Sequence, residues 1–271
     1  MTKSIVLLLL LSVSTICYSQ NLYSALHMND SREYKFGRPK RIIEENTFYS
    51  SHTEIAKNIK VFDAAGMLLT EERYTRDGIL TAKLTYINDT TRHLKLSRIF
   101  ESWLKYGRSK EIAVNQYDEH GFLTATIDST AHGKLINVAK IVNNSKGNPV
   151  ELVLFDANNN PLGKETAKYD YDKNTVVTAV FKSDGTKLSS DTSKIRFDAT
   201  SSYDKSTYNQ YNDVLSYSTT NSNGSVNLYE CEYQYDKTGN WIEQKIYTIK
   251  LNPDGKKDRK LDRLFKREIT Y

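Results

Sequence analysis

The sequence predicts an all-β protein, an antiparallel up-and-down meander of hairpins whose sheet is strongly coiled or partly closed. Three observations predict it. Turn signals recur from about residue 60 to the C-terminus. The segments between them alternate polar and apolar residues with the period of a strand. Tyrosine, at 19 residues against 9 Phe and 2 Trp, dominates the aromatics, as suits half-buried strand faces where the ring packs and the hydroxyl stays wet.

The turns come in two kinds. The wider kind sets an aromatic residue and Asp ahead of a glycine: Phe62-Asp63-Ala64-Ala65-Gly66, Tyr117-Asp118-Glu119-His120-Gly121 and Tyr235-Asp236-Lys237-Thr238-Gly239. Asn144-Ser145-Lys146-Gly147 keeps the polar residue and the glycine. In such a turn the carboxylate accepts from backbone amides two or three residues on, and Gly takes the left-handed conformation. The result is a hairpin closed with a bulge. The tighter kind is Asp77-Gly78, Asp184-Gly185, Asn223-Gly224 and Asp254-Gly255, with His132-Gly133 as a weaker example. These pairs suit two-residue type I′ hairpins. The kinds largely alternate: residues 67–76 separate Gly66 from Asp77, and 122–131 separate Gly121 from His132.

Between the turns the strands read plainly. Leu80, Ala82, Leu84 and Tyr86 share a face, as do Tyr229, Cys231, Tyr233 and Tyr235, with Glu230, Glu232 and Gln234 between them. Ala167, Tyr169 and Tyr171 repeat the pattern. Roughly a dozen such strands exceed what an open sheet holds before it curls or splits. Two regions depart from the rule. Residues 20–56 carry few turn signals, and Arg41 to Tyr49 reads as a first strand. Residues 94–107 set Leu96, Ile99, Phe100, Trp103 and Tyr106 near helical spacing, but Gly107-Arg108-Ser109 equally serves a hairpin, and strands are preferred.

The first 19 residues read as a signal peptide. Lys3 precedes an apolar run from Ile5 to Leu11, too short to span a bilayer, and small residues place cleavage before Gln20. A lipoprotein, acylated on Cys17, is the competing reading; Ile16 ahead of the cysteine disfavours it. Residues 20–271 then form one exported domain without a transmembrane segment. Cys231 is left as the sole thiol of the mature chain, expected as a small buried hydrophobe rather than a nucleophile. A net charge of +5 on 38 basic and 33 acidic residues does not point to nucleic acid.

Tyr233-Gln234-Tyr235-Asp236-Lys237-Thr238-Gly239-Asn240-Trp241-Ile242 resembles the YD, or RHS-type, repeat, whose core reads Y-x-Y-D-x-x-G-R/N. Tyr169-Asp170-Tyr171-Asp172 repeats its first half. The layout from residue 37 onward also resembles small exported proteins of Bacteroidetes-type bacteria. The shared stretches are Gly37-Arg38-Pro39-Lys40-Arg41-Ile42-Ile43-Glu44 and the closing Arg267-Glu268-Ile269-Thr270-Tyr271. The resemblance implies a long coiling sheet on an exported or surface protein, with a role in carbohydrate or cell-surface binding. The toxin-enclosing role of the large shells does not carry over to so short a chain.

Chemistry is harder to find. His27, His52, His93, His120 and His132 are dispersed, with no zinc-ligand spacing. Asp156-x-Asn158-x-Asn160 and Asp170-x-Asp172-x-Asn174 imitate the start of a calcium loop but lack its sixth-position Gly and twelfth-position Glu, so turn chemistry explains both. Glu44-Glu45 and Glu71-Glu72 point their members to opposite faces of a strand and read as solvated edges. The basic stretch from Lys256 to Arg267 reads as a charged edge hairpin. The expected function is a non-enzymatic, exported binding or scaffolding protein without cofactor or metal. Its partner is an envelope glycan or a surface protein. Trp241, Tyr233 and Tyr235 are the contact candidates, against a plainer role as a core ladder. The rival reading is a glycan hydrolase with a carboxylate pair in the sheet trough.

Overall fold

A computed structural model describes residues 21–30, 33–49, 54–104, 107–202, 205–220, 225–252 and 256–271. The expected signal peptide with Cys17, the expected Asn223-Gly224 and Asp254-Gly255 turns, His52 and Tyr106 lie outside the described residues. A short helix, α1 (Leu22–Leu26), precedes the strands. The first of these are β1 (Arg41–Phe48), β2 (Glu54–Phe62), β3 (Leu68–Thr75), β4 (Leu80–Asp89), β5 (Leu94–Leu104) and β6 (Gly107–Tyr117). Next come β7 (Leu123–Thr130), β8 (Leu135–Asn143), β9 (Pro149–Asp156), β10 (Pro161–Asp170), β11 (Thr175–Lys182) and β12 (Lys187–Lys194). The last five are β13 (Thr207–Tyr208), β14 (Val214–Thr220), β15 (Val226–Tyr235), β16 (Trp241–Leu251) and β17 (Lys257–Thr270). Residues 94–104 are therefore a strand, and Arg41 does open the first one.

All seventeen strands belong to one antiparallel sheet. Each strand from β2 to β12 pairs with its sequence neighbour, and so does each from β13 to β17. Strand β1 joins the two runs, pairing β2 on one side and β17 on the other. The first and last strands thus meet inside the sheet, and the free edges are β12 and β13. An odd count has a consequence. Strict antiparallel alternation over seventeen strands leaves the two edges running in the same direction, so an all-antiparallel closure is impossible. The sheet stays open at that seam. There β12 carries Lys187, Asp191 and Lys194, charges of the kind that blunt an exposed edge. The loop after it spans the gap, its carbonyls Arg196 O and Phe197 O accepting from Asn174 Nδ2 and Asn212 Nδ2, each at 3.0 Å.

The two turn kinds expected from the sequence prove to be one. Nine turns among the described residues share a hydrogen-bond pair. The fourth residue's N–H donates to the first residue's carbonyl, and the first residue's N–H donates to the fifth residue's carbonyl. They begin at Asp63, Thr75, Asp118, Thr130, Asn144, Asp156, Lys182, Asn209 and Asp236. A type I′ hairpin needs positive φ at both central residues, but in Asp77-Gly78, His132-Gly133 and Asp184-Gly185 only the glycine has it. That glycine is the fourth residue of a frame begun three residues earlier. Asn159 and Asn212 take its place at φ +63° and +58°. The false calcium run is the same device: Asp156 Oδ1 accepts from Asn158 N at 2.9 Å and Asn160 N at 2.8 Å. Because strands alternate in direction, turns begun at Asp63, Asp118, Asn144, Asn209 and Asp236 gather at one end of the sheet. Those begun at Thr75, Thr130, Asp156 and Lys182 gather at the other.

Residues 21–30 and 33–40, the strap, lie across the Asp63 end on the sheet's inner face. Leu22 N donates to Glu165 Oε2 on β10 (2.8 Å), and Leu22 and Ala25 pack on Leu123, Ala139, Ile141, Leu152, Ala167 and Val176. Lys95 Nζ donates to Met28 O at 2.7 Å, and Tyr34 Oη to Gly66 O at 2.7 Å. Lys35 N donates to Asn240 Oδ1 beside β16 at 2.7 Å. From β10 to β16 through β1 is eleven strand steps, about 53 Å if flat. The thirteen residue steps from Leu22 to Lys35 could reach at most about 47 Å even if fully extended. The sheet must therefore curl around this strap.

Two sequence expectations fail here. Strand β17 is an edge only at its exposed start, 257–260; farther on, β1 pairs along it from Phe48↔Arg263 to Arg41↔Thr270. Its basic residues are matched by acids instead: Lys257 with Glu230, Arg259 with Glu230 and Glu232, Arg267 with Glu44. Glu44 and Glu71 are not solvated edges either. They are 9% and 8% exposed on the inner face, while Glu72 on the outer face pairs with Lys83. Cys231 is buried at 6% exposure, and burial pushes its thiol up.

Candidate functional site

The Asp63 end gathers most of the molecule's polar and aromatic machinery around the strap. Trp241 opens β16 and lies against Arg267 of β17, with the guanidinium 3.4 Å from the ring centroid. The same guanidinium donates from Nε to Glu44 Oε2 at 2.6 Å and from Nη1 to the strap carbonyl Glu33 O at 3.1 Å. Glu33 in turn forms an ion pair with the buried Lys60. Burial by itself would raise the Glu44 carboxyl. The charges of Arg267 and Lys60, with hydrogen bonds from Asn46 and Arg267, outweigh it and hold Glu44 below the usual carboxylate range.

Tyr233 and Tyr235 lie on the same face of β15, ring centroids 6.0 Å apart and stacked. Tyr233 Oη donates to Val214 O at 3.1 Å and accepts from Gln244 Nε2 at 2.7 Å. Tyr235 Oη donates to Asp213 Oδ2 at 2.9 Å and accepts from Asn209 Nδ2 at 2.5 Å. Burial is the main force pushing both phenols up. Tyr211 packs on Tyr235 at 4.3 Å, and Phe36 of the strap packs edge-on against Tyr211. The three residues singled out from the sequence are thus close to one another, Tyr235 pairing with Trp241 across β15 and β16; both tyrosine hydroxyls have partners within the chain, and Arg267 covers the Trp241 ring.

A cavity of about 170 Å³ lies between the strap and strands β2 to β5. Its wall includes His27, Asn29, Asp30 and Glu33 from the strap, and Phe62, Glu71, Tyr86, His93 and Lys95 from the sheet. Most of its charges are matched: Glu33 by Lys60, and Glu71 by Arg73 Nε at 2.7 Å. His27 is different. Its side chain is 1% exposed and its Nδ1 meets Asp30 Oδ2 at 2.6 Å, yet Nε2 has no hydrogen-bond partner. Nothing in the sequence marked this cavity, because its strap residues carry no periodicity and its histidines lie 66 positions apart.

A second polar group occupies the inner face farther along. Asp128 faces Ala113 across β6 and Asn137 across β8, with Arg98 beyond Ala113. Burial pushes Asp128 up to about 6; Arg98 opposes the rise and Glu111 adds to it. An acid held above its unfolded value near 3.9 binds more protons when folded between the two values. Its contribution to stability is complete below pH 4 and is lost as pH rises through about 6. Allowing for partial solvation, Asp128→Asn is expected to gain about 1–2 kcal/mol over the parent at pH 7.5. At pH 4 it gains nothing from this source. Urea unfolding at the two pH values checks the difference.

No helix among the described residues is long and apolar enough to cross a membrane. No protein-family model matches the chain, and no curated protein matches it. Among solved structures the chain is similar to a porin-like protein from Bacteroides uniformis, at 11% identity and a TM-score of 0.48, covering 87% of this chain and 98% of that one. It is also similar to a chain of the TcdB2-TccC3-Cdc42 complex, at 9% identity and a TM-score of 0.26, covering 83% of this chain and 16% of that one. The third similarity is to the Tc holotoxin pore of Photorhabdus luminescens, at 10% identity and a TM-score of 0.20, covering 76% of this chain and 14% of that one. The chain spans about one sixth of the length of those toxin chains. The strand registers, not these likenesses, carry the fold.

Proposed function

We propose that this is an exported, YD-repeat-like binding or scaffolding protein whose partner is an envelope glycan or another surface protein, met at the Asp63 end. One observation carries the reading: the strap builds a polar, aromatic-walled cavity at that end, and its walls are braced by the Glu33–Lys60 and Glu71–Arg73 ion pairs rather than by apolar packing alone. Trp241, Tyr233 and Tyr235 serve this reading as the frame on which the strap seats, since their hydroxyls and ring face are engaged within the chain. A glycan array probed with the mature chain is expected to show saturable binding to a small set of glycans. A clean negative would remove the glycan reading and leave the surface protein.

The hydrolase reading draws on Asp128 and Glu111, two inner-face carboxyls of which one is raised. It requires turnover of glycans found on the array, with a pH profile that Asp128→Asn and Glu111→Gln abolish. Binding without turnover is the outcome expected here.

A further inference from the structure

We infer that the outer face of β8 to β12 docks on the surface of an anionic lipid bilayer. The inference goes beyond the binding reading above and does not rest on it. Cross-strand pairing sets Lys140, Val153, Lys164, Phe181 and Lys187 in one row across the five strands. Partners across a ladder share a face. Lys140 follows Ala139, which packs on the strap side, so the row lies outside. Its three lysines are exposed and stand on every second strand, about 10 Å apart. Lys168, farther along β10 and in phase with Lys164, adds a fourth exposed ammonium to the same face.

Elsewhere on the outer face acids take up such charges: Lys83 pairs with Glu72, Lys110 with Glu101 and Lys245 with Glu243. Of the four lysines here only Lys164 has an acid partner, Glu151 at 3.9 Å, and Asp170 at the end of β10 is held by Lys173. Lys140, Lys168 and Lys187 have none among the described residues. Lys140 and Lys164 lie over the rings of Phe155 and Phe181, which attract an ammonium without neutralising it. The charge therefore calls for an anionic partner, and the apolar side chains decide which one. Val142, Leu162, Val177 and Leu188 lie among the lysines, 42–57% exposed. A soluble polyanion would meet the lysines and leave these four in water. A bilayer offers anionic headgroups and, just beneath them, an apolar layer. The curl of the sheet makes this face convex, and a fluid bilayer conforms to it.

Vesicle flotation with the mature chain tests this, comparing phosphatidylcholine alone with an equimolar mixture of phosphatidylcholine and phosphatidylglycerol. The chain is expected to float with the mixed vesicles only, and to be released as salt screens its exposed charges. The triple variant Lys140→Gln/Lys164→Gln/Lys187→Gln is expected to weaken partition about a hundredfold. Leu162→Ser/Leu188→Ser keeps every lysine and is expected to weaken it about fivefold. Lys245→Gln, whose lysine is paired elsewhere on the outer face, should change little. All these side chains lie at the surface, and matching thermal midpoints check that each variant is folded. Absence of flotation at low salt would overturn the inference, as would flotation that the triple variant keeps. Undiminished flotation of the leucine variant would mark a surface for polyanions in general, and overturns it equally. A negative glycan array leaves this surface standing, and failed flotation leaves the glycan reading standing.

Discussion

Arg267→Ala is expected to destabilise the folded chain by about 3–5 kcal/mol, one of the two largest single-residue effects the structure suggests. The side chain lies at the point where the chain's beginning and end are joined. Its Nε–H holds Glu44 of β1, Nη1 holds the strap carbonyl of Glu33, and its face covers Trp241. Glu44 is only 9% exposed, so removing the guanidinium strands a carboxylate away from water, with Lys60 and Asn46 left to compensate it. Urea unfolding at pH 7 reads the loss. The sign can be checked independently. Glu44 is held below its ordinary value in the parent, so its contribution is present above pH 4 and disappears as pH falls through that lowered value. The gap between parent and Arg267→Ala therefore narrows in acid. The double variant Glu44→Leu/Arg267→Met is expected to recover most of the loss, because an apolar pair of similar volume leaves no buried charge. A double variant as unstable as Arg267→Ala would show that the pair acts through strap geometry rather than charge.

Much of this architecture was legible in the chain. Period-two alternation in 80–86 and 229–235 gave real strands, and Asp118 behaves as its turn signature required, accepting from His120 N and Phe122 N while Gly121 takes φ +83°. The framing of the tighter turns was not legible. Thr75, Thr130 and Lys182 begin the same hydrogen-bonded loop as Asp63. The two threonines accept at Oγ1 from the fifth residue's N–H, each at 3.2 Å, but threonine is a weak turn former and lysine is none, so the glycine three positions later carried the signal and suggested a shorter turn. The position of β17 was hidden for a different reason. Its charges are those of a solvated edge until β1, more than two hundred residues away, supplies Glu44. Long-range pairing leaves no local trace. The cavity was hidden for the same reason, since a third of its wall comes from a strap with no repeat pattern.

Asn240→Ala tests whether the strap organises the sheet or merely lies on it. The residue follows the left-handed Gly239 in the turn between β15 and β16, where the repeat-like motif has Asn, and is 3% exposed. Its Oδ1 accepts from Lys35 N at 2.7 Å and Phe36 N at 3.1 Å; its Nδ2 donates to Phe36 O at 2.6 Å and Tyr271 Oη at 2.8 Å. A single amide thus serves both hydrogen-bonding senses of the strap backbone and secures the C-terminal tyrosine, whose hydroxyl also donates to Asp236 Oδ2 at 2.6 Å. Truncation leaves up to three strap backbone groups without partners. At about 1–3 kcal/mol for each buried group left unsatisfied, with water recovering part of it, a loss of about 3 kcal/mol is expected. Asn240→Asp separates geometry from chemistry. It keeps the acceptor but sets a second carboxylate beside Asp236 and loses both donated bonds, so it should be no better than alanine at pH 7. In acid, a protonated carboxyl can donate again to Phe36 O, and the aspartate variant should gain on the alanine one. Amide exchange locates the effect. If the strap organises the sheet, protection is lost together in 33–40 and in β1, β16 and β17, while β6 to β9 keep theirs. Loss confined to 33–40 would mean that the sheet holds its curl without the strap.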